Sequence, residues 1–139
     1  MLRKFAKTVL LGCAFLGVAG VVTADESIPV YAVALRGTEP VTLKGRLQGP
    51  EKSTKDFIVL VKQGETLTVS LKASKANSTY FNILPPDDAT ALFVGEMQGA
   101  NEWRQRLDVS GNYTVRIYLN RAVARKGVKS DYTLKISAS

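Results

Sequence analysis

The sequence predicts an all-β protein, an antiparallel β-sandwich of about eight strands, on three observations. Beyond the N-terminal leader, no stretch carries the 3.6-residue apolar period of a helix. β-branched and aromatic residues instead recur at every second position in short segments, and clusters of Gly, Pro, Asn, Asp and Ser separate those segments at regular spacing. Several segments have one polar face, which favours two packed layers over a closed barrel.

Residues 1–24 stand apart from this pattern. Arg3, Lys4 and Lys7 precede an apolar run over residues 9–22, and Val22-Thr23-Ala24 places small residues where a signal peptidase cuts. The run falls short of the about 20 residues that a membrane span needs, and no second run follows it. The expected product is an exported, periplasmic or secreted chain cut near Ala24, with one domain over residues 25–139 and no stable membrane insertion. Leu10-Leu11-Gly12-Cys13 resembles a lipobox, but cleavage there leaves only residues 8–12 as an apolar core and exposes a second apolar stretch. Lipidation at Cys13 is therefore the minor reading.

In the segments that follow, residues 30–35 suit an edge strand or an ordered arm. Val41, Leu43, Gly45 and Leu47 alternate with Thr42, Lys44 and Arg46, and a turn over residues 48–53 ends that strand. Phe57-Ile58-Val59-Leu60-Val61 is a continuous apolar run, read as a central strand covered on both sides. The turn Lys62-Gln63-Gly64-Glu65 then leads to Leu67, Val69 and Leu71 on one face, and the two strands are expected to form a hairpin. Residues 80–84 form a strand stopped by Pro85-Pro86. Shorter candidates lie at 91–94 and 103–107. Tyr113, Val115, Ile117 and Leu119 define a long alternating strand, and Tyr132, Leu134 and Ile136 define the last.

Composition removes most chemistry. With no histidine and one cysteine, which lies in the leader, there is no Ser-His-Asp arrangement, no imidazole acid or base, no thiolate catalysis in the exported chain and no His- or Cys-based metal motif. Neither a Ser-x-x-Lys motif nor a phosphate-binding glycine loop occurs. An enzyme is not expected, and neither is a cofactor. Lys and Arg number 19 against 12 Asp and Glu, a net +7 of which the leader contributes three charges. The exported chain is thus moderately basic at +4, suited to acidic partners and, once exported, not to nucleic acid. Asp87-Asp88 lacks calcium-loop spacing and reads as a turn. Trp103, flanked by Arg104 and Arg106, is either a core or rim residue or an exposed platform for sugar stacking, and the buried reading is favoured.

One cluster remains. Asn120 to Lys129 lies between two strands and carries Arg121, Arg125, Lys126 and Lys129 with no carboxylate. Composition alone makes it a solvated hairpin tip. Arg121 and Arg125 nevertheless stand four residues apart, which puts them on one side of a helical turn or of an extended segment. The planar guanidinium fork suits bidentate capture of a partner's carboxylates.

Gly111-Asn112-Tyr113-Thr114-Val115-Arg116-Ile117-Tyr118, followed by Arg121, Ala124, Arg125 and Lys126 and then Tyr132-Thr133-Leu134, resembles the C-terminal half of the periplasmic inhibitors of goose-type (g-type) lysozyme. The likeness runs more weakly upstream through Lys62-Gln63-Gly64-Glu65-Thr66-Leu67 to about Gly45. It implies a β-sandwich similar to prepeptidase C-terminal domains, a g-type lysozyme as protein partner, and an inhibitory loop of Arg121, Arg125 and Lys126 that plugs the acidic cleft. The family carries tyrosines in the turn between the first two matching strands, where this chain has Gly49-Pro50-Glu51-Lys52-Ser53. The alternative is a non-catalytic module that binds cell-wall glycan or an envelope enzyme through Trp103 or a sheet face.

Overall fold

Alternating apolar and polar residues resolve into two sheets that share one apolar interior. The structure, a computed structural model, describes residues 27–87 and 90–139. The leader with its cleavage site and Cys13, and Asp88, lie outside the described residues. In chain order the elements are β1 (Val30–Val33), β2 (Val41–Gln48), β3 (Thr54–Val61), β4 (Thr66–Ala73), β5 (Thr79–Leu84), β6 (Phe93–Val94), the single-turn helix α1 (Gly95–Gln98), β7 (Glu102–Arg106), β8 (Gly111–Leu119), the single-turn helix α2 (Arg121–Ala124) and β9 (Lys129–Ala138).

One sheet has the order β1-β3-β8-β5-β6 and the other β2-β9-β4-β7. All pairs are antiparallel except β1 with β3. The two-residue period puts Val59, Val61, Phe81, Ile83, Val115 and Ile117 of the first sheet inward, where they meet Leu67, Val69, Leu71, Leu134 and Ile136 of the second. Burial of each such side chain contributes about 1.5–3 kcal/mol relative to exposure. The interior is therefore the main source of stability, and the loops at the ends of the sheets are free to serve other ends.

The strand positions follow the sequence pattern, and the connections depart from it. β3 and β4 are not a hairpin: β3 pairs with β1 and β8, and β4 with β9 and β7. The turn between them, closed by the Glu65 N–H donating to the Lys62 carbonyl at 3.0 Å, carries the chain from one layer to the other. β8 and β9 are likewise in different sheets, so the basic loop between them is a layer-to-layer connection and no hairpin tip. β3 is also not covered on both sides, since Leu60 is 64% exposed on its outer face. Helix α1 has no counterpart in the sequence pattern, because a single turn is too short to display a helical period, and α2 realises the helical turn that was one of two alternatives for the basic loop.

Candidate functional site

Three connections meet at one end of the sandwich. The Leu119 N–H donates to the Ser53 carbonyl at 2.9 Å, the Asn120 N–H to the Ser78 carbonyl at 2.7 Å, and the Gly49 N–H to the Val128 carbonyl at 3.2 Å. These bonds tie the turn after β2 and the turn after β4 to both ends of the segment over residues 119–128.

Within that segment, Asn120 is the N-cap of α2, its side-chain oxygen accepting from the Ala122 N–H at 3.0 Å. Such a bond satisfies one of the donors that every helix start leaves open. The Asn120 amide nitrogen donates to Glu96 of α1 at 2.6 Å, so the cap is also anchored laterally. The turn closes as the Arg125 N–H reaches the Arg121 carbonyl at 3.1 Å, and Gly127 ends it at φ 73°, a left-handed conformation that favours glycine.

Helical phase then decides which side chains turn outward. Ala124 is buried, lying against Gly49, where a Cβ would collide with the Ala124 backbone. Arg121, Arg125 and Lys126 are exposed. The structure thus brings the three expected loop residues together, with the two arginines one turn apart. Among the described residues neither Arg121 nor Arg125 has an ion-pair or hydrogen-bonding side-chain partner. No existing bond must break before they meet a carboxylate.

Arg121 also borders a groove of about 470 Å³, whose other walls include Ser53, Thr54, Arg116, Tyr118 and Asn120. Arg116 is fixed there by a two-pronged pair with Asp56 at 2.8 and 2.9 Å, which raises the guanidinium pKa further. The Tyr118 hydroxyl donates to Asn82 at 3.1 Å. Burial pushes the Tyr118 phenol above its ordinary value, and the charge of Glu96 adds to the effect. Sequence reasoning assigned no site role to Thr54, Asn82, Arg116 or Tyr118. Their outward positions on β3, β5 and β8 read as ordinary solvated strand faces, and only the pairing of the three strands assembles them.

The other candidates behave differently. Trp103 lies opposite the buried Val69, packs against the core and has its ring 6.3 Å from that of Phe93. It is a rim residue of the interior, with little of the free face that a stacking platform needs. Asp87 is exposed in the turn after β5. A larger depression, about 550 Å³, lies at the opposite end, with Lys62 and Glu65 as its charged lining.

No protein-family model and no curated protein matches this chain by sequence. Solved structures do match in three dimensions. A periplasmic lysozyme inhibitor of g-type lysozyme, PliG from Aeromonas hydrophila, is 28% identical with a TM-score of 0.68, the match covering 81% of this chain and 97% of that one. PliG from Salmonella Typhimurium is 19% identical with a TM-score of 0.60, covering 81% and 100% respectively. The pre-peptidase C-terminal domain of a Bacillus anthracis collagenase is 14% identical with a TM-score of 0.54, covering 82% and 98%. The last two likenesses establish the fold. The sandwich and its similarity to both groups agree with the resemblance seen in the sequence.

Proposed function

We propose that this protein is an exported inhibitor of a g-type lysozyme and acts by setting the α2 loop into the enzyme's acidic cleft. The observation that carries this reading is the pair Arg121 and Arg125, partner-free among the described residues and held one turn apart by a capped, anchored loop. The structural likeness to the Aeromonas inhibitor supports the choice of target. A glycosidase cleft carries carboxylates, and two preorganised guanidinium forks give such a cleft charge-assisted hydrogen bonds without the ordering cost of a flexible loop. Lys126, exposed next to Arg125, adds charge to the loop. The inhibitor needs no cofactor and no catalytic group of its own.

The test is a lytic assay with purified protein against a g-type lysozyme. Inhibition is expected at micromolar protein or below, and lysis that proceeds unchanged refutes the proposal. The glycan-binding alternative predicts sedimentation with insoluble peptidoglycan that is lost on Trp103→Ala and kept on Arg121→Ala. The inward packing of Trp103 disfavours that result.

A further inference from the structure

The two outer sheet faces differ sharply in charge. On the sheet β1-β3-β8-β5-β6, the outward residues of β3 and β8 contribute one acid and one base, Asp56 and Arg116, which neutralise each other at 2.8 Å. On the sheet β2-β9-β4-β7, the outward positions hold Lys44 and Arg46 on β2, Lys129 and Lys135 on β9, Lys72 on β4, and Arg104 and Arg106 on β7, all exposed. Against these seven cations stand two carboxylates on the face, Asp131 paired with Arg46 at 2.6 Å and Glu102, and at its rim Asp108, 3.5 Å from Arg106. The strand registers put Lys44 and Lys72 on either side of Thr133, and Lys135 between Thr42 and Ser70. The cations therefore spread across neighbouring strands and do not gather in a cleft.

The residues between them are short hydroxyls, Thr42, Thr68, Ser70, Thr133 and Ser137, so no bulky side chain holds a flat surface away. No aromatic ring points outward from these four strands, which leaves nucleobases and sugar rings no stacking platform. A broad, even, cationic plane is complementary to the anionic plane of a membrane surface, where each Lys or Arg near the headgroups adds about fivefold to partitioning. We infer that the outer face of β2-β9-β4-β7 docks the protein peripherally on anionic phospholipid headgroups, without insertion. This docking uses a different surface from the α2 loop and does not rest on the inhibitor reading.

The experiment is co-sedimentation of the purified protein with phosphatidylglycerol-containing vesicles and with pure phosphatidylcholine vesicles. Binding is expected to the anionic vesicles alone and to disappear in molar salt. A Lys44→Ala/Lys72→Ala/Lys135→Ala variant should bind about a hundredfold more weakly, following the factor per cation. Its melting temperature should stay unchanged, because all three sites are exposed. An Arg121→Ala/Arg125→Ala variant should retain binding. Equal partitioning onto both vesicle types overturns the inference, as does loss of binding in the arginine variant with retention in the lysine variant. A protein that inhibits lysozyme yet ignores anionic vesicles would overturn this inference and leave the inhibitor reading standing.

Discussion

The Asn120 side chain joins two helices, capping α2 through its oxygen and donating from its nitrogen to Glu96 of α1 at 2.6 Å. One residue thus fixes both the start and the lateral position of the loop that carries Arg121 and Arg125. Asn120→Ala removes the cap, at a cost of about 1 kcal/mol of stability. Glu96→Ala keeps the cap and removes only the anchor, so its melting temperature should move less. Both variants leave the loop to be ordered on binding, an added cost of about 0.5–1.5 kcal/mol, which reads as a several-fold weaker inhibition. Thermal melts paired with inhibition titrations check this, and full inhibition by both variants would show that the loop needs no anchor.

Gly49 provides the seat on which the loop rests. A methyl group at this position would drive into the backbone of Ala124, where no side-chain rotation can relieve it. Gly49→Ala should cost about 1–3 kcal/mol, the range for overpacking a close contact, and should displace α2 with its arginines. Stability and inhibition are expected to fall together. Circular dichroism melts and the lytic assay on one preparation test this, and a variant as stable as the parent contradicts the seat.

Among the described residues Asp56 and Arg116 form the one charged pair on the outer face of their sheet, with side-chain exposures of 10% and 35%. Asp56→Ala strands a guanidinium that is only one-third open to water. Fully buried pairs lose about 3–5 kcal/mol when one partner is removed, and solvent screening here reduces the expectation to about 1–3 kcal/mol. Replacing both residues by apolar ones should be milder than the sum of the single changes, because no unpaired charge remains. Urea unfolding of the two single variants and the double variant measures that coupling.

Tyr113 and Tyr118 predict an alkaline limit to stability. Burial raises both phenols, with Asp87 and Asp108 adding to the effect at Tyr113 and Glu96 at Tyr118. The Tyr113 hydroxyl also donates to the Val109 carbonyl at 2.6 Å, a bond that ionisation would remove. Unfolded tyrosine ionises near pH about 10. Above that pH the unfolded chain loses these protons before the folded one does, so unfolding becomes easier as pH rises. The contribution is whole below the unfolded value and is lost as pH climbs through the folded values. Denaturant unfolding across alkaline pH should show the decline, and Tyr118→Phe should flatten part of it.

The strands were legible because burial of one sheet face imposes a two-residue period that local sequence must carry, as in Val41, Leu43 and Leu47 or in Tyr113, Val115 and Ile117. The partners of those strands were not legible. Whether Phe57 to Val61 and Leu67 to Leu71 pair with each other or face each other across the core, the continuous apolar run of the first and the alternation of the second are the same. Only long-range register separates the two cases. The basic loop was legible because its charge is local, and the one-turn spacing of its arginines because four residues nearly make one helical turn. Its support was hidden, since Gly49, Ser78 and Glu96 come from three distant segments and none is unusual in its own neighbourhood.

Arginine at positions 121 and 125 should act through shape as well as charge. If the loop meets carboxylates in a cleft, Arg121→Ala or Arg125→Ala should cost about 2–4 kcal/mol of binding, the range for a truncated hot spot in a charged contact. Arg121→Lys keeps the charge and loses the planar fork. Its association rate should therefore stay close to that of the parent and fall in the same way with added salt, because steering depends on charge. Its dissociation should be faster, because one ammonium cannot hold both oxygens of a carboxylate at the guanidinium's fixed spacing. Surface plasmon resonance with an immobilised g-type lysozyme separates the two rates. A lysine variant that dissociates as slowly as the parent would mean that charge alone holds the loop, and that the four-residue spacing of the two forks is incidental.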